Sequence, residues 1–81
     1  AEAGALRPGS KEHRDAEKEH SRVEKKIQSL TEQIAALDHD MAALDQSDYT
    51  QLATFSDRRQ VLAAELDEME ARWLELGELL S

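Results

Sequence analysis

The 81-residue sequence has no cysteine, one proline and three glycines, and Phe, Trp and Tyr together make up only 4% of it. Without cysteine there is no disulfide framework and no thiolate chemistry. So few aromatic side chains argue against the compact core of a small multi-layer enzyme. No apolar run approaches the ~18 residues of a membrane-spanning helix, and no signal-peptide pattern opens the chain, so we expect a cytoplasmic protein.

Charged residues are abundant instead and make up 35% of the chain. Together with many Ala, Leu and Gln residues, they give the composition that is typical of long helices and coiled coils. Eighteen acids against ten bases leave a formal net charge of −8. This charge repels nucleic acid and anionic membranes, so binding to either would require a local basic patch.

The breaks in the sequence divide it into a linker and two helices. We interpret residues 1–10 as a flexible linker, to which an expression tag can contribute at the front, because they hold Gly and Pro and show no apolar period. A hairpin domain is predicted for residues 11–81. Its first helix spans about 11–45, its turn about 46–48 and its second helix about 49–80.

Residues that favour helix starts mark both predicted N-termini. Ser10 is the expected N-cap of the first helix, with Glu12 in its first turn. Asp48, followed three residues later by Gln51, has the form of a capping box at the start of the second helix. Gly77 interrupts the second pattern close to its end.

The apolar residues of both predicted helices follow a heptad repeat. A narrow stripe of this kind buries one helix face against one partner helix. In the first helix the stripe consists of Val23, Ile27, Leu30, Ile34, Leu37, Met41 and Leu44. In the second helix it consists of Leu52, Phe55, Leu62, Leu66, Met69, Trp73, Leu76 and Leu80, with Arg59 as the one charged member.

A short turn between the helices predicts an all-α fold, an antiparallel two-helix coiled-coil hairpin. In the register that fits both stripes, the numbers of facing residues add to 96, as in the layers Leu30 with Leu66 and Val23 with Trp73. Arg59 then faces Leu37. We interpret it as a device that disfavours slipped pairings, with its guanidinium reaching water or Asp38.

Three segments carry a resemblance to a known family. They are Arg22–Ile27 (RVEKKI), Ser47–Leu52 (SDYTQL) and Glu70–Leu76 (EARWLEL). Together they resemble the C-terminal coiled-coil domain of ABC-F ATPases, in particular the Uup-type branch, over about residues 11–80. The resemblance implies a domain that follows two ATP-binding cassettes through a flexible linker. It also implies a bacterial parent that acts on ribosomes or nucleic acid, with the coiled coil as a DNA-binding appendage.

The resemblance places ATP, Mg²⁺ and the ATPase chemistry in the parent's cassettes. The present sequence has no GxxxxGK[ST] phosphate loop. It also has no nucleophile set in a pocket-forming context. We therefore expect no catalytic residue, no cofactor and no metal in this part of the protein.

Basic residues concentrate in the first predicted helix. Residues 7–26 hold seven bases and five acids, net +2, whereas residues 27–81 hold three bases and twelve acids, net −9. On the heptad most of these bases form one outer stripe that forgoes pairing with acids along the helix, which suits a track for phosphates. The candidate nucleic-acid-binding residues are Lys11, Arg14, Lys18, Arg22, Lys25 and Lys26.

The same stripe also fits a solvated helix face. We therefore hold two functions open: weak binding of DNA or ribosomal RNA, or a structural coiled coil that docks on the parent's cassettes or a ribosomal protein without binding nucleic acid. Self-association is left open, and a membrane partner is not expected.

Two smaller features have competing interpretations. His13, Glu17 and His20 have the i, i+4, i+7 spacing of metal ligands, but His13 and His20 also fit the weak end of the seam. Trp73 could stack on a base, but its heptad position favours packing.

Overall fold

The computed structural model describes residues 9–81 as two α-helices, α1 (Lys11–Ala43) and α2 (Tyr49–Leu80). Helix α1 ends two residues before the position expected from the sequence, because Leu44 already has extended backbone angles (φ −74°, ψ 153°). Helix α2 continues through Gly77 to Leu80. Residues 1–8, most of the expected linker, lie outside the described residues.

The start of α1 has the predicted cap. The Ser10 hydroxyl oxygen accepts a hydrogen bond from the backbone N–H of His13 at 3.1 Å, and Glu12 lies in the first turn of the helix. Just before the cap, Gly9 has a φ of 84°, a conformation that side chains disfavour. The chain therefore enters α1 through a turn that glycine permits.

The start of α2 is capped by Asp48, also as predicted. One carboxylate oxygen of Asp48 accepts the backbone N–H of Gln51 at 3.2 Å, and the other accepts the Gln51 side-chain amide at 2.9 Å. In the usual capping box, the side-chain oxygen of the Gln or Glu at this position accepts a hydrogen bond from the backbone N–H of the cap residue. Here that N–H donates to the carbonyl of Asp45 at 2.9 Å, so the Gln51 side chain turns to the carboxylate.

The turn between the helices satisfies many of its own polar groups. The Asp45 carboxylate accepts both the backbone N–H of Ser47 (2.9 Å) and its hydroxyl (2.8 Å). The backbone bond, followed by the hydroxyl bond, holds the pKa of Asp45 below its ordinary value. The Gln46 side-chain amide donates to the carbonyl of Leu44 at 3.1 Å. These hydrogen bonds within the turn stabilise the reversal of the chain without a buried apolar side chain at the tip.

The two helices bury their heptad stripes unequally. In α1 every d position from Ala16 to Leu37 is buried, and Leu30 is 0% exposed. In α2 only Leu76 is buried, at 1% exposed, while Leu66 and the other stripe residues stay half-buried. The a positions of α1 are also half-buried. A two-helix seam has open edges, so only some of its layers lose contact with water completely.

Contacts between the helices establish their antiparallel direction. Early residues of α1 meet late residues of α2: Glu19 pairs with Arg72, whereas Asp38, near the end of α1, pairs with Arg59. The numbers of Asp38 and Arg59 add to 97, and those of Glu19 and Arg72 and of Lys26 and Glu65 add to 91, on either side of the predicted register of 96. The molecule is accordingly a rod of 60 × 18 × 14 Å. The predicted all-α hairpin is confirmed.

Arg59 reaches the partner that its seam position predicts. Its Nε donates to one oxygen of Asp38 at 2.7 Å and its Nη2 to the other at 3.3 Å. This pairing raises the pKa of Arg59, and both side chains remain partly exposed. Exposed pairs add little stability, so we interpret this pair as one that favours a single alignment of the two helices.

The variant Arg59→Leu tests this role. Filling the layer with an apolar side chain should raise the midpoint of thermal unfolding, because leucine packs on Leu37 and the freed Asp38 stays in water. It should also admit slipped or intermolecular pairings. We expect circular dichroism to show the higher midpoint and analytical ultracentrifugation to show additional species. A more stable variant that sediments as the same single species as the parent would mean that Arg59 does not specify the register.

Candidate nucleic-acid interface

The basic stripe occupies the outer face of the N-terminal half of α1. Lys11, Lys18 and Lys25 lie at f positions, with Arg14 at b and Arg22 at c. All five side chains are exposed. At 1.5 Å per residue, the stripe extends about 21 Å along the helix. We use the name basic stripe for these five residues.

Most of the basic stripe is not neutralised by neighbouring acids. Within residues 9–81, no carboxylate forms an ion pair with Lys11, Arg14, Lys18 or Lys25. Arg22 acts on Glu19 through charge alone and is a minor cause of that residue's lowered pKa. The positive groups therefore face solvent and remain available to an anionic ligand.

Lys26, the sixth predicted residue, has a different environment. Its Nζ lies 3.3 Å from the carboxylate of Glu65 on α2. Both residues occupy g positions, which face each other along one edge of an antiparallel seam. The structure therefore places Lys26 in a bridge between the helices, beside the basic stripe rather than within it.

A second ion pair on the same edge, between Arg72 and Glu19, keeps this acid from pairing with the bases of the stripe. Arg72 donates to both oxygens of Glu19, from Nε at 2.7 Å and from Nη2 at 2.9 Å. It also donates to Glu75 at 3.1 Å. The bonds from Arg72 hold the pKa of Glu19 below its ordinary value, and the two carboxylates raise the pKa of Arg72. Because Glu19 is held by Arg72, it does not form an ion pair with Arg22.

Sequence reasoning did not identify the Glu19–Arg72 bridge. Arg72 lies on the acidic helix, 53 positions away along the chain. The signal that could have revealed it is the heptad, because Glu19 and Arg72 both occupy g positions and g positions of antiparallel partners pair with each other.

The three residues with metal-ligand spacing face different neighbours. His13 Nδ1 lies 2.7 Å from the Glu17 carboxylate. His20 instead stacks on the ring of Trp73, with ring centroids 5.0 Å apart and planes at 26°. In the part of the chain that the structure describes, no group of three potential ligands converges. The i, i+4, i+7 spacing is thus used by a short contact between His13 and Glu17 and by the stacking of His20 on Trp73.

Trp73 packs at the seam, as its heptad position predicts. It contacts the buried cluster of Ala16, Val23 and Leu76, and one face of its ring meets His20. Its indole Nε1 is buried without an acceptor among residues 9–81. This ring is therefore not free to act as a stacking platform for bases along the stripe. At the other end of the rod, Tyr49 is 77% exposed at the hairpin tip.

Neither described helix combines the length and apolarity required to span a bilayer.

Comparison with known proteins gives one result. A family model described as ABC transporter C-terminal domain matches residues 11–78, which include all of α1 and nearly all of α2. Searches of curated proteins and of solved structures returned no match.

Proposed function

Because the chain belongs to the ABC transporter C-terminal domain family, we propose that it is the appendage of an ABC-F ATPase and that its first helix binds nucleic acid through phosphates. One observation carries the proposal. Five exposed bases line one face of α1, and none of the five forms an ion pair with an acid among the described residues. ATP and Mg²⁺ belong to the parent's cassettes, and this part of the protein binds rather than catalyses.

The acidic net charge does not prevent such binding at physiological salt. Apart from Glu65 and Glu70 at the edges of the seam, most acids of α2 lie on the helix behind the stripe, in a rod whose short dimensions are 18 and 14 Å. Exposed charges are largely screened beyond the Debye length of about 8 Å at physiological ionic strength. A phosphate beside the basic stripe therefore interacts mainly with the stripe, while the distant acids weaken the overall affinity.

The stripe suits a phosphate backbone better than a base sequence. Lysine and arginine on one exposed helix face position a polyanion, whereas sequence reading requires side chains aimed at base edges. We therefore propose binding with weak affinity and poor sequence preference. DNA and ribosomal RNA share this chemistry, and both are tested below.

The salt dependence of binding tests the proposal. If about four bases contact phosphates of duplex DNA, the logarithm of the association constant should fall with the logarithm of salt concentration at a slope near −3.6. Fluorescence anisotropy of labelled DNA and ribosomal RNA, between about 50 and 200 mM salt, measures this slope. If neither nucleic acid binds at the lowest salt, the stripe is only a solvated face. The structural coiled coil, docked on the cassettes or on a ribosomal protein, then becomes the preferred function.

A further inference from the structure

The two edges of the helical seam differ in charge pairing. The edge formed by g positions is closed by two bridges, Glu19–Arg72 and Lys26–Glu65. The opposite edge holds the Asp38–Arg59 pair near the turn, but farther from the turn its e positions Glu24 and Glu70 both line one groove. Among the described residues no base forms an ion pair with either of them. Two carboxylates therefore occupy positions where coiled coils usually place opposite charges.

The groove between these carboxylates has an apolar floor. Its volume is about 390 Å³, and besides the two acids it is lined by Ile27, Gln28, Trp73 and Leu74. Leu74 is 60% exposed, one of the largest apolar exposures in the described chain. An open apolar surface with two acids beside it matches a ligand that carries both a cation and an aliphatic stem.

We propose that this groove docks a basic amphipathic segment of a partner protein. A lysine or arginine head lies between Glu24 and Glu70, and its methylene stem with a neighbouring apolar side chain covers Ile27, Trp73 and Leu74. Long basic side chains combine these two properties. The carboxylates repel phosphate, so the groove selects a protein segment and not nucleic acid. The basic stripe occupies the outer face of the same helix, so one hairpin can hold both partners.

Fluorescence of Trp73, the single tryptophan of the chain, tests the proposal directly. The probe is a short synthetic peptide of Ala, Leu and Arg, designed as an amphipathic helix. The control peptide has Glu in place of Arg. We expect the emission of Trp73 to change saturably with the Arg peptide and not with the Glu peptide. No saturable change up to about 1 mM Arg peptide would overturn the proposal, since binding would then be weaker than about −4 kcal/mol.

Substitutions assign the binding to the two carboxylates. Glu24→Gln and Glu70→Gln should each weaken peptide binding by about two- to fivefold, the range expected for one exposed ion pair. Glu68→Gln, an equal charge change on an exposed part of α2 outside the groove, should leave the affinity unchanged. Equal losses in all three variants would assign the effect to net charge and contradict a groove site.

Charge reversal separates binding from folding. Glu70→Lys should raise the midpoint of thermal unfolding, because the new ammonium pairs with Glu24 across the seam, and it should abolish peptide binding. A variant that is less stable than the parent would show that the two positions do not face each other.

Sedimentation of the free protein tests whether a second copy of this chain, and not a partner segment, occupies the groove. If the parent dimerises and Glu70→Lys is monomeric, a second copy fills the groove and the partner-segment proposal is wrong.

Discussion

Leu30→Ala is expected to lower the free energy of unfolding by ~2–5 kcal/mol. Leu30 is 0% exposed and lies in the middle of the seam, so truncating it removes its packing and leaves a cavity that two long helices cannot readily close. A chain of this length has a total stability of about 4–12 kcal/mol. The substitution should therefore remove a large part of that stability, and urea unfolding followed by circular dichroism measures the loss.

Two further variants provide stability losses with which that of Leu30→Ala can be compared. Val61 is 68% exposed on α2, so Val61→Ala should change stability by less than about 0.5 kcal/mol. Leu66, the facing residue in the predicted register, is only half-buried, so Leu66→Ala should cost less than Leu30→Ala. If Val61→Ala is as harmful as Leu30→Ala, the helices do not pack through the stripe described here.

The double variant Lys18→Glu, Arg22→Glu is expected to abolish most of the proposed nucleic-acid binding. Both residues are exposed in the middle of the basic stripe, away from the seam. Replacing them removes two phosphate contacts and adds two repulsive charges. The affinity at about 50 mM salt should fall at least tenfold, and the salt slope should shrink from about −3.6 to about −1.8. The anisotropy titration described above measures both quantities.

A matched pair of single variants distinguishes the stripe from net charge. Lys18→Glu and Arg58→Glu change the charge equally, but Arg58 lies on α2, outside the stripe. Arg72 is a poorer control because it holds Glu19 and Glu75. We expect only Lys18→Glu to weaken binding strongly, with circular dichroism unchanged in both variants. Equal losses would show that the whole molecule's charge, and not the stripe, determines binding.

The sequence by itself determined the elements and their pairing. The heptad positions of Leu30 and Trp73, the caps at Ser10 and Asp48, and the reach of Arg59 to its partner helix were all predictable. Each of these depends on local spacing: a 3.5-residue apolar period defines one helix face, and a cap depends on its next three residues. Helix α1 ends at Ala43, near the predicted bound of about 45, because Leu44 is already extended, and no glycine or proline marks this position in the sequence.

Only the tertiary structure decided which charged side chains form ion pairs between the helices. Lys26 and Arg22 look equivalent in the sequence, yet Lys26 is drawn to Glu65 across the seam while Arg22 faces solvent. Likewise Glu19 finds a bidentate arginine, whereas Glu24 lines a groove with another acid. These outcomes depend on side chains more than 30 residues away along the chain. Heptad spacing brings such residues to the same edge of the seam, but the packing of both helices decides which of them make contact.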